Sequence, residues 1–257
     1  MSESSLVIAA VADIHCTRAA TGALQPLFAQ LDPRVGVLLL CGDLTDYGLP
    51  EEARVLAKEL AAVKVPIVAT LGNHDCESGQ QKEVAQVLAD AGVHVLDGDA
   101  IEIGGVGFAG AKGFMGGFGR RTLEPWGEEA TKRFVHEAAD EAIKLGAALA
   151  KLRTSQRVAV LHYAPIEATV VGEPPEIYPF LGSSRLEEPL NRYEVSAAFH
   201  GHAHHGSAEG RTAGGTVVYN VALPLLKALQ PDQPPFRIVE VSLVRPAAEL
   251  AGPPARS

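Results

Sequence analysis

The chain is short of several residue types, and each scarcity removes a class of protein. Of 257 residues only three are cysteine, at positions 16, 41 and 76. They are too few and too scattered for a disulfide framework and show no CxxC spacing, which suits a reducing compartment. Basic residues are outnumbered: 22 Lys and Arg stand against 31 Asp and Glu, for a net charge of −9. A broad grip on a nucleic-acid backbone needs clustered Lys and Arg, so a long polyanion is a poor partner. Long apolar runs are missing as well. Residues 6–12 and 35–41 are the longest, far short of the roughly 20 that span a bilayer. The opening Met1-Ser2-Glu3-Ser4-Ser5 lacks the basic stretch of a signal peptide. A cytoplasmic protein with no membrane partner is expected.

What is present is ordinary for a globular chain: 47 % hydrophobic and 21 % charged residues, with 26 Gly and 17 Pro. Residues 6–12, 35–41 and 66–71 are short apolar runs rich in β-branched residues and read as buried strands. Between and after them, residues 21–31, 50–63 and 83–91 have helical spacing. Pro50 and Glu51-Glu52 suit the first turn of the second helix. This β-α-β-α-β-α opening predicts a parallel sheet covered by helices. The pattern then changes. Residues 100–103 and 106–109 flank Gly104-Gly105 and read as a hairpin. Residues 110–119 form a glycine-rich loop, 128–152 a long helix and 157–161 a strand. Residues 164–189, with five prolines, read as an extended loop. Residues 196–199, 216–221 and 236–243 are late strands, the last two suited to antiparallel pairing. Residues 1–245 are expected to form one domain with mixed sheets, and 246–257, rich in Pro, Ala and Gly, a frayed tail.

Metal-type residues gather where these strands end. The first runs into Asp13-Ile14-His15, whose alternate side chains can chelate one ion. The second runs into Gly42-Asp43-Leu44-Thr45-Asp46, the third into Gly72-Asn73-His74-Asp75, and a later one into His162. His200-Gly201-His202-Ala203-His204-His205 follows the strand at 196–199. Ligands of open α/β sheets collect beyond the carboxyl ends of strands, so these five segments should meet. Imidazole and carboxylate without thiolate suit Mn, Fe or Zn. The donors suffice for two ions. Two divalent ions bring four positive charges, and two carboxylates with a hydroxide return three, which leaves a site suited to an anionic phosphate.

The order D-x-H, G-D-x-x-D, G-N-H-D, H, G-H-x-H resembles the calcineurin-like metallophosphoesterase superfamily, and in particular its class III cyclic nucleotide phosphodiesterase-like branch. The resemblance spans residues 13–204. It implies an α/β fold, a two-layer mixed β-sandwich flanked by helices (αββα), and two divalent or trivalent metal ions as cofactors. By motif position it implies Asp13, His15, Asp43 and His204 as ligands of one ion. Asp43, Asn73, His162 and His202 would hold the other, with Asp43 bridging. A metal-bridging hydroxide would be the nucleophile. His74 would touch phosphate and protonate the leaving oxygen, and the Asp46 acid would orient it. The sequence departs from the protein Ser/Thr phosphatases, which have an Arg after the second motif and a Glu in the third. Tyr47-Gly48 and Asp75 stand at those places here, which weakens that option.

The expected activity is metal-dependent hydrolysis of a small phosphorylated substrate, a phosphodiester of a small molecule or cyclic nucleotide. A small-molecule phosphomonoesterase is the alternative, ahead of a non-catalytic metal-binding scaffold and a nuclease. Other notable residues read plainly. Asp75 suits a helix N-cap. His94, His136, His200 and His205, and all three cysteines, suit structural or surface places. The aromatic loop at 110–126, with Arg120 and Arg121, fits a substrate lid or a cover for the core equally well.

Overall fold

The computed structural model describes residues 5–243; the expected tail lies outside them. The chain runs β1 (Ser5–Val11), α1 (Gln25–Phe28), β2 (Val37–Cys41), α2 (Pro50–Leu60), β3 (Ile67–Thr70), α3 (Gln81–Asp90), β4 (Val93–Val95), β5 (Asp99–Ile103), β6 (Val106–Gly110), α4 (Glu129–Lys151), β7 (Gln156–Val160), α5 (Tyr178–Leu181), α6 (Glu187–Arg192), β8 (Ala197–His200), β9 (Glu209–Arg211), β10 (Val217–Asn220), α7 (Leu223–Leu229) and β11 (Arg237–Ser242). Two mixed sheets result. One has the order β11-β1-β2-β3-β4, the other β5-β6-β7-β8-β10-β9.

The sheets pack against each other and helices cover their outer faces. Period two in the strands produces this. In β7, Val158 and Val160 join the core shared with β1, β2 and β3, while Ala159 between them faces a second cluster with Leu145 and Leu149 of α4. Phe199 and Ala198 of β8 divide the same way. A strand buried on both faces needs an unbroken apolar run, and β2 is such a strand, with Val-Leu-Leu-Leu-Cys buried throughout. On α2, Ala53, Leu56 and Leu60 are buried, as their spacing of three and four predicts. These layers are the expected mixed sandwich flanked by helices.

Several local expectations give way. The helix expected at 21–31 is a single turn. Its first residues form a bend whose Gly22, Leu24 and Gln25 amides donate to the buried carboxylate of Glu59. A side chain distant in sequence thus competes with the local helix. The two last strands do not pair with each other. β10 runs parallel to β8 and antiparallel to β9, and β11 closes the other sheet antiparallel to β1. The proline-rich segment 164–189 is not plainly extended, because short turns and α5 interrupt it.

The parallel order places the ends of β1, β2 and β3 on one rim, beside the ends of β7 and β8 of the second sheet.

Candidate metal centre

The five motif segments meet on that rim. Asp13, His15 and His204 each offer one ligand atom, all within 4.8 Å of one another. Asp43, His162 and His202 form a second such group, and His15, Asp46 and His74 a third. Asn73 joins the second group through Oδ1, 2.9 Å from His162 Nε2. Asp43 stands between the groups. Its Oδ1 is 3.4 Å from His162 Nε2 and its Oδ2 is 3.8 Å from His15 Nε2.

The backbone is distorted where these side chains leave it. Among the described residues, the non-glycine residues with positive φ are Asp13 (57°), His15 (48°), Asp43 (49°), His202 (68°) and Glu194. Four of the five belong to the motifs. Left-handed backbone is costly for residues with a Cβ, and its concentration at one place marks a functional constraint. Close approach adds to it. A Cβ on Gly72 would lie 2.1 Å from Asp43 Oδ1, and one on Gly42 2.4 Å from His162 Nδ1.

Main-chain carbonyls orient the imidazoles. His162 Nδ1 is 3.0 Å from the Cys41 carbonyl, which can only accept. The proton therefore sits on Nδ1, and the Nε2 lone pair faces Asp43 Oδ1 and Asn73 Oδ1. His202 Nε2 is 3.1 Å from the Phe180 carbonyl, which leaves its Nδ1 as the lone-pair nitrogen. The main-chain N–H of His202 donates to both Asp13 oxygens at 3.1 Å. Burial pushes the His202 pKa down to about 4, reinforced by His162, so the ring is neutral, the form that binds metal. Burial would raise the Asp13 pKa, but the hydrogen bond and charge of His204, with the hydrogen bond from the His202 main chain, outweigh it and hold the pKa low. His204 is raised by the same bond to Asp13. A convergence of lone pairs without enough protons fits metal ions. His15 Nδ1, buried and without a hydrogen-bond partner, fits the same picture.

Asp46 departs from its expected role. The group that holds His74 Nδ1, at 2.7 Å, is the Asp46 main-chain carbonyl. Its carboxylate lies beside His15 instead, with Oδ1 3.3 Å from Nδ1. The His74 amide donates to Asp43 Oδ1 at 2.8 Å. Burial lowers the His74 pKa, yet the Asp46 carbonyl and the carboxylates of Asp43, Glu77 and Asp46 raise it overall.

Asp75 is no helix cap. It is fully buried and accepts from the amides of Leu44, Thr45 and Gly72 and from the Thr45 hydroxyl. It clamps the second motif loop to the third. Burial raises its pKa, opposed by those donors. His200 is also structural: its ring nitrogens meet the Gly201 carbonyl and Thr169 Oγ1. Burial raises the thiol pKa of Cys16 to about 12 and that of Cys41 well above its usual value, which disfavours thiolate ligation. The glycine-rich loop is a brace. Gly116 and Gly117 donate to the carbonyls of Pro179 and Gly182, and Arg185 Nη2 donates to Leu123 O at 2.9 Å. The loop thus steadies the segment whose Phe180 carbonyl holds His202.

Sequence reasoning missed three supports: the Phe180 carbonyl, the Tyr163 ring 4.6 Å from that of His202, and Asn220, whose Nδ2 donates to Ala203 O at 2.7 Å. The placement of Asn220 at the end of a strand beside the His-rich loop was the one available signal.

Comparison with known proteins agrees with this geometry. The family model for calcineurin-like phosphoesterases matches residues 6–206. The chain belongs to that family. It is a metal-dependent phosphoesterase. A search of curated proteins finds no match. Among solved structures, the phosphopantetheinyl hydrolase PptH from Mycobacterium tuberculosis shares the fold at a TM-score of 0.67 and 14 % identity, over 92 % of this chain and 96 % of that one. TT1561 of Thermus thermophilus aligns at 0.54 and 13 %, over 93 % of this chain and 100 % of that one. GAP50, the anchor in the inner membrane complex of Plasmodium, aligns at 0.54 and 12 %, over 86 % and 72 %. Among the described residues no helix is long and apolar enough to cross a membrane.

Proposed function

We propose that this phosphoesterase hydrolyses phosphodiesters of small molecules or cyclic nucleotides, with two ions of the Mn, Fe or Zn type. The observation that carries the reading is the position of Asp43, with one oxygen toward His162 and the other toward His15. A carboxylate shared in this way suits a pair of ions. Asp13, His15 and His204 would hold one ion with Asp43. Asn73, His162 and His202 would hold the other. When bound, such ions lower the pKa of water and offset the charge of the phosphate.

The chain supplies the rest. The Asp46 carbonyl fixes His74 through Nδ1 and leaves Nε2 to give a proton to the leaving oxygen. Preference for a diester is supported by what flanks Asp46. The Tyr47-Gly48 pair stands where the protein phosphatases have an Arg, and a diester, with one negative charge, needs less cationic help than a monoester with two. The test is the rate of the metal-loaded protein on bis(p-nitrophenyl) phosphate against p-nitrophenyl phosphate. Faster turnover of the diester is expected, and much faster turnover of the monoester would reverse the assignment. Metal analysis of the same sample gives the ions.

A further inference from the structure

The third cluster, His15, Asp46 and His74, has donor atoms within 4.8 Å of one another, and hydrogen bonds account for little of it. His15 Nδ1 is buried and has no hydrogen-bond partner. Asp46 Oδ1 is 3.3 Å from it, yet not in line to accept an N–H from that nitrogen. His74 turns Nδ1 to the Asp46 carbonyl at 2.7 Å. A carbonyl only accepts, so the proton sits on Nδ1 and the lone pair of the neutral ring on Nε2. The two imidazoles stand edge to face, with centroids 4.5 Å apart.

His15 stands between two demands. Its Nε2 faces Asp43 Oδ2 at 3.8 Å, and its Nδ1 faces Asp46. A neutral imidazole has one lone pair, so the ring serves one side at a time. On the Asp46 side the spacing suits an ion. Ligand atoms on a tetrahedral ion with bonds of about 2.0–2.1 Å lie about 3.4 Å apart, and Nδ1 and Oδ1 are at 3.3 Å. The side chains of His15 and Asp46 are 24 % and 26 % exposed, so an ion can arrive from solvent without opening the fold. The charges acting on His74 are the carboxylates of Asp43, Glu77 and Asp46, and such a field draws cations.

We propose that His15 Nδ1, Asp46 Oδ1 and His74 Nε2 form a third, weaker metal site, which takes a divalent transition ion such as zinc and silences the enzyme when filled. Two imidazoles and one carboxylate select such ions over magnesium. Both rings contribute to the silencing. An ion on His74 Nε2 occupies the lone pair that must carry the proton for the leaving oxygen. His15, once turned to the third ion, leaves the first with Asp13, Asp43 and His204. The loss of activity rests on the proton-donor reading of His74; the binding of the ion does not.

The test is equilibrium dialysis of the full chain against rising zinc, with turnover of bis(p-nitrophenyl) phosphate followed over the same range. Three equivalents are expected, two tight and one weaker. The rate should rise with the first two and fall at least about tenfold as the third fills, since a positioned proton donor is worth about 10²–10⁴-fold. Excess magnesium added to the two-zinc protein should leave the rate unchanged. His74→Ala should bind two equivalents only. Asp46→Ala should also lack the weak step, and its rate should climb to a plateau instead of falling. A weak equivalent retained in both variants belongs to another surface group and overturns the inference. So does the lack of a third equivalent in the unaltered protein, and either result leaves the phosphoester reading standing. A third equivalent that both variants lose, but that leaves the rate of the unaltered protein untouched, keeps the metal site and removes His74 as proton donor.

Discussion

The main-chain carbonyl of Asp46 and Nδ1 of His74 lie 2.7 Å apart, and this contact, made without the Asp46 side chain, sets the ring. Removal of the two side chains should therefore have different effects. His74→Ala is expected to keep its metals and lose turnover by about 10²–10⁴-fold, the usual worth of a positioned proton donor. Asp46→Ala keeps the carbonyl. Its carboxylate stands beside His15, so the variant should need roughly 10–100-fold more metal while recovering most activity at saturation. Metal titrations of the two variants decide the point; equal loss at saturating metal would show that the carboxylate serves His74 after all.

Asp43 faces both ligand groups. Asp43→Asn should lose bound metal and activity together, by elemental analysis and turnover of the same preparation. A variant that holds both ions and works at the normal rate would remove Asp43 from its bridging place.

Gly72 offers a steric version of the same experiment. A methyl group there would come within 2.1 Å of Asp43 Oδ1, far inside contact distance, so Asp43 must move. Gly72→Ala should reduce metal occupancy and turnover while its far-ultraviolet circular dichroism stays as in the parent, since the sheets lie behind the loop. Normal occupancy would mean that the loop yields instead of the carboxylate.

Asp75 makes a prediction about stability. Three amides and a hydroxyl lose their acceptor in Asp75→Ala. Unpaired buried donors cost about 1–3 kcal/mol each before relaxation, so the metal-free protein should lose about 3 kcal/mol or more. That corresponds to roughly 6–12 °C in Tm for a chain of this size. Urea unfolding measures it, and a loss below about 1 kcal/mol would argue that water replaces the carboxylate.

Much of the fold and most of the site were legible in the sequence, for a physical reason. Ligand chemistry is written in residue types, and parallel strands bury themselves as unbroken apolar runs, so β1, β2 and β3 with their terminal Asp and His residues were readable together. The contacts that orient the ligands were not. The Cys41 and Phe180 carbonyls that fix His162 and His202 belong to the backbone, and any residue type could have carried them. The bend at residues 22–25 was hidden because its hydrogen-bond acceptor, Glu59, lies more than thirty residues away. Asp75 looked local because it precedes a helix, whereas its work is done across two loops.

Two of the three ligand groups draw from both sheets. Asp13 and His15 leave β1 to meet His204 from beyond β8, and Asp43 leaves β2 to meet His162 and His202. The centre therefore sits astride the seam of the sandwich. A slide of one sheet over the other would pull both groups apart at once, while a fluctuation within one sheet would leave half of each in place. Bound ions would act as rivets through that seam, so removing them should loosen the interface between the sheets before it loosens the strands within either.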